Sequence, residues 1–285
     1  LGVAMVQLNF LLNTYLASMQ PEGSVTAITL AWTVMLMPQA AIAQSIATAS
    51  LPTLSTQAAQ GRLEQMRASL AATLRGVLLL AIPTTFGLIL LRQPLIQLLY
   101  QHGGTFNEQS TQLVSWALLW YGAGLVGHCV VEIISRAFYA LQDTRTPVIV
   151  SITAMVLNLI FSLAFSTFFL RIGWFPHGGL ALANSLATAI EGIILFTLMR
   201  KRLRGLEGKS MLALIFKALT AALIMSMGVQ AWMHLAANYS SAVVVMGGVL
   251  VGILLYSLMS SILRVDEISS IWKTVRRRIN FKIKE

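Results

Sequence analysis

His128, Glu132 and Arg136 follow one another at i, i+4 and i+8, which on a helix stacks an imidazole, a carboxylate and a guanidinium on one face. A carboxylate held between two such partners can grip a polar guest, take part in proton movement, or simply be neutralised by Arg136. The same four-residue spacing recurs elsewhere: Asn9 with Asn13, Gln44 with Thr48, Asn158 with Ser162, and Asn184 with Thr188. Ser151 precedes Asn158 by seven, and Glu191 follows Thr188 by three, so both extend a stripe. Amides, hydroxyls and acids in stripes suit hydrogen bonding to a hydrated head group. They equally suit bonds from helix to helix, each worth ~0.6–2 kcal/mol in a membrane. For a single Asn or Ser the second use is the simpler one. Glu132 and Glu191 favour a cavity, because an intramembrane charge costs ~2.5–3.5 kcal/mol on insertion scales and turns toward protein or water.

The candidate cavity residues are therefore Asn9, Asn13, Gln44, Thr48, His128 and Glu132 on the first four apolar stretches, with Arg136, Asn158, Asn184, Thr188 and Glu191 on the fourth to sixth. His128 alone reads as a packed histidine, so no metal site, cofactor or catalytic residue is assigned. An enzyme of lipid or sugar chemistry would gather acids or a nucleophile and its base near one membrane face. Here Glu22, Glu108, Asp143, Asp266 and Glu267 are scattered, and neither a His-x-x-x-His pair nor a Gly-rich phosphate loop occurs.

The elements that position these residues are long and apolar. Residues 1–19, 25–51, 69–91, 111–141, 148–170, 178–199, 211–234 and 241–263 each approach or exceed the ~20 residues a helix needs to cross ~30 Å of hydrocarbon. Helices are required because lipid offers no partner for an open N–H or C=O, and a barrel would show ~10-residue alternating segments instead. With 56% hydrophobic and 11% charged residues and a mean hydropathy of +0.75, the chain is expected to be an all-α polytopic membrane bundle of about eight transmembrane helices. Pro38 and Pro83 fall inside crossings, where a missing N–H is expected to bend helices two and three.

All of the 20 Lys and Arg residues but Arg92 and Arg171 fall on one side of this zigzag. By the positive-inside rule that side is cytoplasmic, and both ends of the chain lie there. The net charge of +10 thus reports topology and contact with anionic lipid of the inner leaflet, and no nucleic-acid partner is implied. In the tail, Ile268, Ile271, Trp272, Val275, Ile279 and Ile283 recur at helical spacing between cations. That pattern fits a basic amphipathic helix on the membrane surface, or a solvated stop signal. The chain opens on Leu1 inside an apolar stretch, without the cationic region of a signal peptide, so it is expected to continue a longer membrane protein. Cys129 is the lone cysteine. The seventh and eighth stretches carry fewer polar stripes and a GxxxG at Gly248 and Gly252 that suggests close packing. The expected organisation is a six-helix lobe over residues 1–205, an added helix pair over 206–264 and a basic cytoplasmic tail over 265–285.

The run Arg136-Ala137-Phe138-Tyr139-Ala140-Leu141-Gln142-Asp143-Thr144-Arg145-Thr146-Pro147 resembles the cytoplasmic signature of the MurJ (MviN) lipid II flippases. Pro21-Glu22-Gly23-Ser24-Val25, Ile46-Ala47-Thr48-Ala49 with Leu51-Pro52-Thr53-Leu54-Ser55, and Gly179-Leu180-Ala181-Leu182-Ala183-Asn184-Ser185 fit as well, in the same order. The resemblance implies fourteen crossings in two six-helix lobes plus a final pair, of which this chain resembles the last eight. It implies a central cavity, in the cytoplasmic membrane of a bacterium, that passes the head group of a polyprenyl-pyrophosphate-linked glycan such as lipid II. It also implies that a first lobe is a partner of this one. One departure stands out: an Asp-Arg pair common in the second helix of such proteins is replaced by Trp32 and Thr33. The missing first lobe could supply the cations instead, Arg136 could, or a different lipid-linked glycan could be carried. A cation-coupled multidrug antiporter of the same superfamily and a transport-inactive scaffold remain the alternative readings.

Overall fold

The computed structural model describes residues 2–101, 104 and 106–263, with side chains from residue 8 onward apart from residue 209. The expected tail helix over 265–285 lies outside the described residues. The chain folds as a helical membrane bundle. Among the described residues, six helices are long and apolar enough to cross a membrane, or seven when the bent pair Glu108–Ala123 and Leu125–Ala140 counts as one span. Helix α1 (Gly2–Ser18), with 17 residues, lies at the short end of the ~17–25 that can cross, and brings the crossings to the expected eight.

The second crossing is built from α2 (Ser24–Gln39), a π-helical turn at Ala40–Gln44 and α3 (Ser45–Ala59). Pro38 has no N–H to give to the carbonyl one turn back, and the widened turn begins two residues after it. The third crossing, α4 (Leu63–Leu90), runs on through Pro83 as one helix and is followed by the short α5 (Arg92–Tyr100). The proline still leaves a mark. Pro83 cannot satisfy the carbonyl of Leu79, and the Tyr256 hydroxyl on α11 (Ser241–Ile262) donates to that oxygen at 2.7 Å.

A sharp bend falls in the fourth crossing, where α6 (Glu108–Ala123) and α7 (Leu125–Ala140) meet at 47° around Gly124. There the Gly124 N–H turns to the Tyr121 carbonyl, which frees the carbonyl of Trp120. Ser185 on α9 (His177–Arg202) donates its hydroxyl to that oxygen at 2.7 Å. A Cβ on Gly124 would stand 2.4 Å from Ser185 Oγ and 2.9 Å from its Cα, so only glycine lets α9 approach the break.

Helix α9 is the central element, packed by α8 (Arg145–Arg171) along one side and by α6 and α7 along the other. Its small residues permit this; a Cβ on Gly179 would lie 2.6 Å from the backbone of Phe165 and Ser166 in α8. Helix α1 lies against α8 and α2, and α2 against α6. Helix α10 (Gly208–Leu235) packs on α4, and α11 on α10, α5 and α4. On α11 the stripe Val244, Gly248, Gly252, Tyr256 and Ser260 is buried, with Gly248 against Leu91 and Gly252 against Val229. Outward-facing Ile160, Leu163, Phe216, Met227 and Leu254 are exposed, as a lipid-facing surface requires.

Candidate functional site

A cleft of about 410 Å³ opens between α1, α2, α7, α8 and α9. The wall from α2 is set by helix phase. Trp32, Leu36 and Gln39 follow at four and three residues and share a face. Gln44 lies five further on and would leave that face in a regular α-helix. The π-helical turn at Ala40–Gln44 spends about five residues on one turn and brings it back.

Helix α7 supplies His128, Glu132, Ser135, Arg136 and Tyr139, and α9 supplies Asn184, Thr188 and Glu191. The His128 ring nitrogen Nε2 lies 3.2 Å from Asn184 Oδ1. The indole of Trp32 stands edge-on to Tyr121 at 5.2 Å and to His128 at 5.3 Å between ring centroids. Arg136 donates Nε at 3.1 Å and Nη2 at 2.9 Å to the same oxygen of Glu132, so the i, i+4 pair forms within the helix. Ser151 on α8 donates its hydroxyl to Glu191 Oε1 at 2.5 Å. Both acids thus keep one carboxylate oxygen outside these bonds.

The remaining stripe residues divide between lining and glue. Asn9 Oδ1 accepts from Asn13 at 2.7 Å and from Asn158 at 2.5 Å, tying α1 to α8 at membrane depth. Asn9 and Asn13 also border the cleft, whereas Asn158 is buried behind them with Ser162. Thr48, one turn past Gln44, does not border the cleft; it is exposed and donates to the Gln44 carbonyl at 2.8 Å. Residues that spacing did not single out complete the wall. Gln39 and Tyr121 are buried there, Ser135 sits one residue before Arg136, and Trp32 occupies the position noted as a departure. Its neighbour Thr33 is exposed and bonds to the Thr29 carbonyl, away from the cleft. The signals available were the i−7 relation of Trp32 to Gln39 and the proline beside them. Among the described residues no three His, Cys, Asp or Glu side chains gather as metal ligands would.

The signature run 142–147 is a joint. Gln142 takes a left-handed φ of 58°, its N–H reaching the Tyr139 carbonyl and that of Asp143 the Phe138 carbonyl, which closes the end of α7. Asp143 then opens α8 by accepting from the Thr146 N–H at 3.0 Å and its hydroxyl at 2.8 Å. Pro147 sits in the first turn of α8, where no N–H is needed. Arg202, at the end of α9, adds an ion pair to Asp143 at 2.6 Å. The Thr146 N–H first, then its hydroxyl and Arg202, hold the Asp143 carboxyl below the usual carboxylate range against its partial desolvation. Thr144 and Arg145 are exposed. A second ion pair, Arg75 with Glu207, ties α4 to the turn before α10.

Set beside known proteins, residues 1–260 match the family model described as lipid II flippase MurJ. The lipid II flippase MurJ of Burkholderia cenocepacia is 31% identical over 201 residues, which is 70% of this chain and 38% of that protein. The probable lipid II flippase MurJ of Vibrio cholerae is 28% identical over 195 residues, 68% of this chain and 36% of its relative. The chain therefore spans well under half the length of these relatives. A solved lipid II flippase MurJ in an inward closed conformation superimposes with a TM-score of 0.75 at 25% identity, covering 93% of this chain and 52% of that one. An outward-facing multidrug resistance transporter of the MATE family gives 0.52 at 15% identity over 94% of this chain and 64% of its own, a likeness of fold alone.

Proposed function

The chain belongs to the lipid II flippase MurJ family, and on that footing we propose that it forms one lobe of a transporter carrying a polyprenyl-diphosphate-linked glycan of the lipid II type across the bacterial cytoplasmic membrane. The observation that carries this reading is a cleft of about 410 Å³, bordered by acids, amides and hydroxyls, set among helices whose outer faces are apolar. A charged, sugar-bearing head group cannot shed its hydration into hydrocarbon, so a wet cavity must replace that water while the polyprenyl chain stays in lipid. Alternating access requires a second lobe to rock against this one about the occupied cleft. Residues 1–205 form the lobe in this reading, and residues 206–264 form an added pair docked on α4 and α5. The side bearing the ion pairs Asp143–Arg202 and Arg75–Glu207 faces the cytoplasm with both chain ends, and its cations meet anionic lipid.

The test is to fill the cleft. In a bacterium depleted of its own flippase, Thr188→Trp in the intact protein abolishes growth rescue at normal membrane levels, while Thr167→Trp on the exposed face of α8 does not. Rescue by both would remove the transport reading.

A further inference from the structure

Resting on that reading, we propose that this cleft selects the glycan of the lipid-linked substrate and leaves its diphosphate to other groups, with Trp32 and Gln39 as the selecting residues. Charge is the first ground. The ionisable groups bordering the cleft are the acids Glu132 and Glu191, with Arg136, His128 and the phenols of Tyr121 and Tyr139. Arg136 directs both Nε and Nη2 at Glu132, and the His128 ring is engaged by Asn184. A wall whose one guanidinium is already paired with an acid, and which carries a second acid, offers a diphosphate no free cation. It welcomes hydroxyl groups, which donate to carboxylates and amides without bringing charge.

Gln39 supplies the second ground. It is 8% exposed, borders the cleft, and its Oε1 has no hydrogen-bond partner among the described residues. A buried acceptor left without a partner beside a cleft calls for a donor. Sugar hydroxyls and acetamido N–H groups are donors, whereas ionised phosphate oxygens carry only lone pairs and would leave the amide oxygen worse placed. Trp32 is the third. Seven residues before Gln39 on the same face, its indole is half-buried beside the cleft and in T-shaped contact with the rings of Tyr121 and His128. A flat aromatic face, electron-rich at its centre, complements the C–H face of a pyranose ring and offers nothing to a phosphate.

The test is equilibrium binding to the intact protein in lipid nanodiscs, using a polyprenyl diphosphate that bears a disaccharide and the same polyprenyl diphosphate without sugar. Trp32→Ala and Gln39→Ala each weaken binding of the glycosylated lipid about tenfold, about 1.4 kcal/mol, and shift the sugar-free lipid by less than about twofold. Trp32→Phe keeps most of the affinity, which separates lost stacking from lost folding, and Gln39→Ala decides alone if Trp32→Ala fails to fold. Equal weakening of both ligands, or no change in either, overturns the glycan assignment. Failure of the unsubstituted protein to bind either lipid would instead sink the transport reading on which it rests.

Discussion

Among single residues, the ion pair Glu132–Arg136 and the hydroxyl of Ser162 give opposite tests of one idea. Arg136 neutralises an acid that lines the cleft, whereas Ser162 is fully buried and makes only long contacts of 3.5 Å to Asn13 and 3.4 Å to Asn158. Arg136→Ala leaves Glu132 without its partner and is expected to impair growth rescue severely; Ser162→Ala is expected to be close to neutral. Adding Glu132→Gln to Arg136→Ala should restore membrane abundance by removing the orphaned charge, measured by quantitative blotting. At the joint, Asp143→Ala removes a helix cap and an ion pair, and a stability loss of about 1–2 kcal/mol in thermal unfolding is expected. The sign of its pH dependence is fixed: because the folded carboxyl is held below its usual range, this stability is full above the unfolded pKa of about 3.9 and disappears as pH falls through the folded value. Most of the strongly polar cleft residues were legible because four-residue spacing fixes a helical face, as with His128 and Glu132 or Asn184 and Thr188. Gln39 was not, since its link to Gln44 runs through a π-helical turn, and no i, i+4 count finds it.

Helices and their breaks carry the next set of consequences. A proline at membrane depth frees a carbonyl, and so does a glycine break; at Pro83 and Gly124 the freed oxygen is met by a hydroxyl from another helix, Tyr256 at Leu79 and Ser185 at Trp120. Tyr256→Phe is expected to cost about 1–2 kcal/mol of unfolding free energy in detergent. In a Pro83→Ala background, where residue 83 regains an N–H for Leu79, the same substitution should cost clearly less. Equal costs in both backgrounds would show that the hydroxyl acts by packing only. The two prolines were visible in sequence, but the 47° bend was not. Pro83 sits inside an unbroken α4, while the 47° break at Gly124 depends on how closely Ser185 approaches, a contact 61 residues away along the chain. The signature 142–147 was equally visible as a motif; its work as cap, turn and clamp needed Arg202 of α9 to be seen beside Asp143.

For the molecule as a whole, hydropathy and the one-sided cations were enough to read the bundle and its crossings, because lipid leaves the backbone no alternative to helices. The helix order in space was not legible, since it follows from small residues such as Gly179 that let α9 become the centre. The proposed orientation has its own test: cysteines at Gly104 and Tyr239 are expected to react with an impermeant maleimide from outside intact cells, and one at Gly208 only after permeabilisation. Transport as proposed depends most on the cleft being where the head group passes. A photo-crosslinking residue placed at Met155, which borders the cleft, or at Leu163, exposed on the outer side of the same helix, tests this with a lipid-linked disaccharide radiolabelled in its sugar. Sugar label attached at position 155 and absent at 163 is the expected result. Label at 163 equal to or above that at 155 would contradict the central claim.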